Sequence, residues 1–106
     1  MANTEMAEHG QNLVAFLTGD IDHHGAKKAR EMIDAAVSVC RPEKLILDFS
    51  EVEFIDSSAV GLIMGRYRLM SQLGGTVKVI NLNARCKKLL QLSGVFSIVT
   101  CEERKK

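Results

Sequence analysis

The sequence predicts an α/β domain: a single mixed, mostly parallel sheet packed with helices. Short runs rich in branched apolar residues alternate with patterns that have the period of a helix, about 3.6 residues. The strands are predicted at 13–18, 44–49 and 76–82, and the helices at 25–40, 57–73 and 84–92. Strands that alternate with helices are usually parallel neighbours joined by right-handed crossovers. With 106 residues, the chain is expected to form one domain, 1–106, around one core.

The first part of the chain is predicted to form a hairpin followed by a long helix. Residues 3–7 and 13–18 flank the turn 9–12, so these two strands are expected to pair with each other. After a loop, Asp22 or the histidines that follow it begin the helix 25–40. The apolar face of this helix is expected to contain Ala29, Met32, Ile33, Ala36 and Val37.

The middle of the chain is predicted to supply the central strand and the second long helix. The run 44–49 is rich in branched apolar residues, which is typical of a buried parallel strand. The helix 57–73 is apolar nearly all round, and the glycines at 74–75 end it. Its core-facing stripe is expected to contain Val60, Ile63, Met64, Tyr67 and Met70.

A third unit follows, with a strand at 76–82 and a short helix that Asn83 caps. Residues 98–101 are expected to add an edge strand. The inward side chains of the short helix are expected to be Leu89, Leu90 and Leu92.

Charge and composition argue against several classes of protein. The net charge of +1 lacks the excess of positive charge typical of proteins that bind nucleic acid or anionic membranes. The sequence contains neither an apolar signal segment nor a stretch approaching the ~18 apolar residues of a membrane span. The cysteines are odd in number and form no CxxC pair, so Cys40, Cys86 and Cys101 are expected to be free, buried thiols. The sequence therefore predicts a cytoplasmic protein.

The tripeptide Asp56-Ser57-Ser58 places two hydroxyls on the first turn of the second long helix. Asp and Ser are preferred there because their side-chain oxygens accept hydrogen bonds from unpaired backbone N–H groups. The same N–H groups, with the positive end of the helix dipole, favour a phosphate. On spacing alone, the simpler interpretation is that these serines only cap the helix.

A resemblance reverses that preference, because the stretch 45–75 is similar to the phosphoacceptor site of the STAS-class anti-sigma factor antagonists, sporulation type. In this family an apolar pair precedes Asp-Ser-Ser, and a small residue, apolar residues and Gly follow. Three further segments match at similar intervals: GDIDHH at 19–24, GRYR at 65–68 and LSGVF at 92–96. The resemblance implies that the partner kinase phosphorylates Ser57, with Ser58 as the alternative acceptor.

The resemblance also implies a regulatory role without catalysis. The unphosphorylated protein is expected to bind a dimeric anti-sigma factor that is also a serine kinase, which frees the sigma factor. Phosphorylation of Ser57 ends this interaction, and a phosphatase resets it. ATP and Mg²⁺ belong to the kinase, so no cofactor is expected here. The expected partner-binding residues are Asp20, Asp22, His23, Asp56, Ser57, Ser58, Gly61, Gly65 and Arg68.

Two glycines on the second long helix need an explanation, since each costs about 1 kcal/mol relative to alanine. Gly61 and Gly65 share one side of the helix with Ser57 and Arg68. They either form a smooth strip for a partner's backbone or make room for a neighbouring helix or strand of the same chain. The residues leave both explanations open, and the family resemblance favours the partner surface.

Other chemistry has weaker support. Asp56 as a phosphoaspartate would need an acidic pair after the first strand, which is not evident. His23 and His24 are adjacent and therefore point apart, and no third ligand stands at a standard spacing, so no metal is predicted. The chain contains no GxxxxGK[ST], GxSxG or HExxH motif. The small basic group at 85–88 is interpreted as a solvated face.

Two alternative functions stay open. The first is a STAS domain that acts as a scaffold or binds a small ligand without a kinase cycle. The second is a small enzyme that uses the Ser57 loop, for instance with His23 or His24, although the sequence offers no motif for such a pairing. Family members often carry one more C-terminal helix, and this sequence is expected to lack it.

Overall fold

A computed structural model describes residues 3–103, which form a five-stranded sheet whose strands follow one another in sequence order. The strands are β1 (Asn3–His9), β2 (Asn12–Thr18), β3 (Lys44–Glu51), β4 (Thr76–Leu82) and β5 (Thr100–Glu103). β1 and β2 are antiparallel, whereas every other neighbouring pair is parallel. The predicted hairpin and the mixed, mostly parallel sheet are thus confirmed.

Three α-helices connect the parallel strands, and each begins after an Asp or Asn whose side chain caps it. The helices are α1 (His23–Cys40), α2 (Ser57–Gln72) and α3 (Ala84–Ser93), with the caps Asp22, Asp56 and Asn83. At the other end of α2, Gly74 adopts a φ of 79°, in the left-handed region that glycine tolerates. The predicted helices and caps are confirmed.

The core lies between one face of the sheet and the helices. Parallel pairing sets Leu13 beside Leu45 and Leu45 beside Val77, and the neighbouring layer repeats this arrangement with Ala15, Leu47 and Val79. All six side chains are buried, in one cluster with residues of the three helices. The sheet positions between them are less buried, and Phe16 is exposed. One sheet face therefore carries the core.

Several predictions of buried side chains were wrong. Met32 of α1 and Leu92 of α3 are exposed, Leu92 by 81%. On α2, Met64 is exposed, whereas Val60 and Tyr67 are half-buried and pack against the core. The fully buried face consists of Ala59, Leu62, Ile63, Arg66 and Met70. Because this helix is apolar nearly all round, its periodicity does not determine which stripe meets the sheet.

Arg66 is buried because α1 supplies an acid beside it. The Arg66 Nε lies 2.9 Å from the Asp34 Oδ1, and the arginine is only 6% exposed. Burial lowers the pKa of Arg66, and the charge of Asp34 opposes that shift. The atoms do not have hydrogen-bond geometry, and the Nη1 of Arg66 is buried without a hydrogen-bond partner. The contact is therefore an incompletely satisfied ion pair that joins α1 to α2.

The last strand and the cysteines differ slightly from prediction. A 3-10 turn at Val95–Ser97 occupies the approach to β5, so the edge strand begins two residues later than expected. The three cysteines are free thiols, as predicted, but only Cys86 is fully buried. No helix in the described part of the chain is long and apolar enough to cross a membrane.

Candidate functional site

Two loops lie side by side at the carboxyl edge of the sheet. Ile21, after β2, forms an isolated parallel bridge with Ile55, after β3. The Ile21 N–H donates to the Phe54 carbonyl over 3.0 Å, and the Asp56 N–H donates to the Ile21 carbonyl over 3.3 Å. This pairing brings the GDIDHH and DSS segments together, as expected for residues of one site.

Each loop ends in an aspartate that caps the next helix. An Asp22 carboxylate oxygen accepts from the Gly25 N–H at 2.8 Å, and an Asp56 oxygen accepts from the Ser58 N–H at 2.7 Å. The bond from Gly25 is the largest cause of the lowered pKa of Asp22. Because the two loops are bridged, the N-termini of α1 and α2 lie next to each other.

The loop before Ser57 is also held from the other side, by the start of α3. The Asn83 Nδ2 donates to the carbonyls of Val52, at 3.3 Å, and Glu53, at 3.2 Å. The Asn83 Oδ1 meanwhile accepts from the Cys86 N–H at 2.8 Å. The sequence predicted the cap but not this second contact, although an Asn at the carboxyl end of β4 is well placed to meet a neighbouring loop.

The two serines have different surroundings. Ser57 is exposed, whereas Ser58 is half-buried. Ser57 is the first residue of α2 and directly follows the capping Asp56. Its hydroxyl is therefore the more accessible of the two to another protein.

A smooth strip runs along α2 from Ser57. Gly61 and Arg68 are exposed on this side, and Gly65 is half-buried. A Cβ built at either glycine has no atom within 4 Å, whereas a Cβ at Gly75 would lie 2.6 Å from the Met70 side chain. A neighbouring helix or strand of the described chain therefore does not require Gly61 and Gly65, and that explanation of the strip is excluded.

The remaining predicted residues do not all lie at the same end of α2. Asp20, Asp22 and His23 are exposed beside the start of α2. Arg68 is eleven residues beyond Ser57, about 16 Å along the helix axis at 1.5 Å per residue. Within residues 3–103, the structure forms no group of three His, Cys, Asp or Glu side chains that could hold a metal ion.

A cleft of about 330 Å³ opens between the first turns of α1 and α2. Its polar lining comes from His23, Lys27, Arg30 and Ser58, with Gly61 beside them. We name it the basic cleft. Lys27 and Arg30 were not among the predicted site residues, although the spacing 23, 27 and 30 places them on one helix face with His23.

Comparison with known proteins identifies relatives of the whole domain. The STAS domain family profile matches residues 3–106. The chain is 37% identical to an anti-sigma F factor antagonist of Paenibacillus polymyxa over 95 residues, which is 90% of this chain and 81% of the relative.

Two similar solved structures differ in phosphorylation. One is the anti-sigma factor antagonist SpoIIAA in its unphosphorylated form, with a TM-score of 0.83 and 26% identity, covering 98% of this chain and 90% of the other. The second is the Bacillus cell fate determinant SpoIIAA in the phosphorylated form, with a TM-score of 0.72 and 27% identity, covering 100% and 93%.

Proposed function

The chain belongs to the STAS domain family, and from this premise we propose that it is an anti-sigma factor antagonist that phosphorylation of Ser57 switches off. Its partner is an anti-sigma factor with serine kinase activity, which it binds in the unphosphorylated form to release a sigma factor. The names of the relatives support the regulatory class. A similar protein with a phosphorylated form supports the switch.

The observation that carries the proposal is the placement of Ser57. Its exposed hydroxyl lies at the first position of α2, directly after the capping Asp56 and at the start of the smooth strip that contains Gly61 and Gly65. A kinase can reach this hydroxyl, and a partner's backbone can approach Gly61 and Gly65 without meeting side chains there. Acceptor and docking surface are thus adjacent on one helix.

The phosphoryl transfer uses groups from both proteins. The Ser57 Oγ attacks the γ-phosphorus of the ATP that the kinase holds with Mg²⁺. The new O–P bond forms as the bond between the γ-phosphorus and the bridging oxygen of ADP breaks, and a base of the kinase accepts the hydroxyl proton. ADP leaves with the kinase, so this chain needs no cofactor of its own.

The added charge accounts for the loss of binding. A phosphoserine carries about −1.5 to −2 charges near neutral pH. The exposed carboxylates of Asp20 and Asp22 lie on the loop that pairs with the Ser57 loop, so phosphorylation adds negative charge to a side that already carries two acids. Like-charge repulsion and desolvation then oppose the partner, while the helix N-terminus tolerates the phosphate. Affinity changes without a change of fold.

The remaining partner is a phosphatase. Hydrolysis of the phosphoserine by water would restore the Ser57 hydroxyl and release inorganic phosphate. All three proteins would act in the cytoplasm, where ATP is available to the kinase.

Intact-mass spectrometry after incubation with ATP, Mg²⁺ and the cognate anti-sigma kinase tests the proposal. We expect one phosphate, about 80 Da, on the wild type and on Ser58→Ala, and none on Ser57→Ala. Phosphate on Ser57→Ala but not on Ser58→Ala would move the acceptor to Ser58. An unmodified wild type, with the kinase active on another substrate, would overturn the switch and favour a scaffold without a kinase cycle.

A further inference from the structure

The basic cleft carries positive charge that the unphosphorylated protein does not neutralise. Among residues 3–103, the ion pairs within 4 Å are Arg66 with Asp34 and Lys78 with Glu102. Lys27 and Arg30 line the cleft and take part in neither pair. Both residues are exposed, so the unphosphorylated protein leaves these two cations to water.

A third cation lies behind the cleft. Arg30 is close enough to Arg66 for its charge to contribute to the lowered pKa of that buried guanidinium. Asp34 is the acid paired with Arg66, and its side chain is 41% exposed. An anion in the cleft would reduce the repulsion between Arg30 and Arg66.

Ser57 does not itself line the cleft, but its neighbours on α2 do. Gly61, one helical turn after Ser57, belongs both to the exposed strip and to the lining of the cleft. Gly61 has no side chain, and a Cβ built there meets no atom within 4 Å, so the space between this side of α2 and α1 is open. The half-buried Ser58 lines the cleft and can donate a hydroxyl hydrogen bond there.

We propose that the basic cleft receives the phosphoryl group once it is on Ser57, with Lys27, Arg30 and the Ser58 hydroxyl as its ligands. This inference rests on the proposed phosphorylation of Ser57 and assigns a resting place to its product. The phosphoryl group has acids on the loop side, Asp20 and Asp22, and cations on the α1 side. Charge therefore draws it towards α1, where charge-assisted hydrogen bonds to Lys and Arg are available.

The cleft affects how the phosphorylated form behaves. Cations near the phosphoryl oxygens favour the dianion, so the second pKa of the phosphoserine is lower than its usual value of about 6. A phosphoryl group held against α1 is also less accessible to a phosphatase. Lys27 and Arg30 thereby prolong the lifetime of the inactive state.

The test uses protein with phosphoserine introduced at position 57 during translation, so that no kinase is required. ³¹P NMR measures the second pKa of the phosphoserine in the otherwise unchanged protein and in Lys27→Gln, Arg30→Gln and the double variant. Lys28→Gln is the matched control, because Lys28 is an exposed neighbour on α1 that does not line the cleft. His23→Gln removes the imidazole of the cleft, so any part of the ³¹P titration curve that disappears in this variant comes from His23.

We expect the pKa to rise by about 0.5–1 in Lys27→Gln and in Arg30→Gln, further in the double variant, and by less than about 0.2 in Lys28→Gln. Hydrolysis by alkaline phosphatase is expected to be several-fold faster in the double variant than in Lys28→Gln. Equal pKa values in all of these proteins would overturn the cleft as a phosphate receptor and leave the proposed function intact. Failure of the kinase to modify Ser57, in contrast, would overturn the function without affecting this measurement.

Discussion

The first turns of α1 and α2 are built alike and carry opposite chemistry. Each begins after an aspartate whose carboxylate accepts from a backbone N–H two or three residues later. After its cap, α1 continues with histidines and the basic residues of the cleft, whereas α2 continues with two serines and a glycine. The aspartate cap is common to both helices and only fixes where each one begins at this edge of the sheet. The side chains that follow it distinguish a phosphate acceptor from a candidate phosphate receptor.

The bodies of the two helices differ as well. α1 buries a uniformly small or apolar face, whereas α2 buries Arg66 and leaves Gly61 exposed. An arginine in the core and a glycine on the surface reverse the usual preference of each residue. Asp34 of the same chain accounts for the burial of Arg66. No contact within the described chain accounts for a glycine at position 61.

The largest expected effect is at the buried arginine of α2. Arg66→Ala removes the ion pair and leaves a cavity, so the free energy of unfolding should fall by about 3 kcal/mol. Arg68→Ala, two residues along and exposed, should change it by less than about 0.5 kcal/mol. Urea denaturation of both variants measures the difference. A similar loss in the two proteins would show that the Arg66 contact contributes little.

Next in size is the cap of α2. Asp56→Ala leaves the Ser58 N–H without its acceptor and should lower the free energy of unfolding by about 1 kcal/mol. Asp56→Asn keeps a side-chain oxygen and should retain most of that stability. Urea denaturation at pH 7 separates the variants. Equal losses in Ala and Asn would mean that the charge of Asp56 matters more than its hydrogen bond.

The exposed glycine should respond in two opposite ways. Gly61→Ala meets no neighbouring atom, so it should raise the free energy of unfolding by about 0.5–1 kcal/mol. It should also weaken binding to the anti-sigma kinase, measured by calorimetry, since the added methyl group lies on the docking strip. Gly75→Ala is the control and should destabilise, because its Cβ would meet Met70 and the Glu43 carbonyl. Unchanged binding in Gly61→Ala would remove this glycine from the partner surface.

The smallest expected effect is on the stability at acidic pH, through the carboxylate of Asp22. The folded protein lowers the pKa of Asp22, so the stabilisation from this carboxylate is fully present above its ordinary pKa, about 4. It is lost as the pH falls through the lower, folded-state pKa. Asp22→Asn should therefore flatten the dependence of unfolding free energy on pH below about pH 4 and leave the curve near neutrality parallel to the wild type. If the unfolding free energy of Asp22→Asn falls with acid as steeply as that of the wild type, the ionisation of Asp22 does not contribute to stability.

Local chemistry made the helix starts and the acceptor loop predictable. Asp56 and Asn83 precede helical patterns, and their capping depends on residues two or three positions away. The alternation of branched apolar runs with helices likewise predicted the parallel sheet, since few connections between such units are possible. The caps depend on neighbours along the chain, whereas the sheet followed from the order of the elements.

The basic cleft and the burial of Arg66 were decided by tertiary contacts. The sequence singled out neither Lys27 nor Arg30, and they line a cleft because α1 lies beside the first turn of α2. Met64 was predicted to be a core residue, but it is exposed. Arg66 is buried instead, paired with Asp34 of α1. The sequence by itself determined the elements, their order and where each helix begins, because those depend on neighbours along the chain. The rotation of α2 and the charge around Ser57 depend on side chains brought together from separate helices, and only packing decides which of them meet.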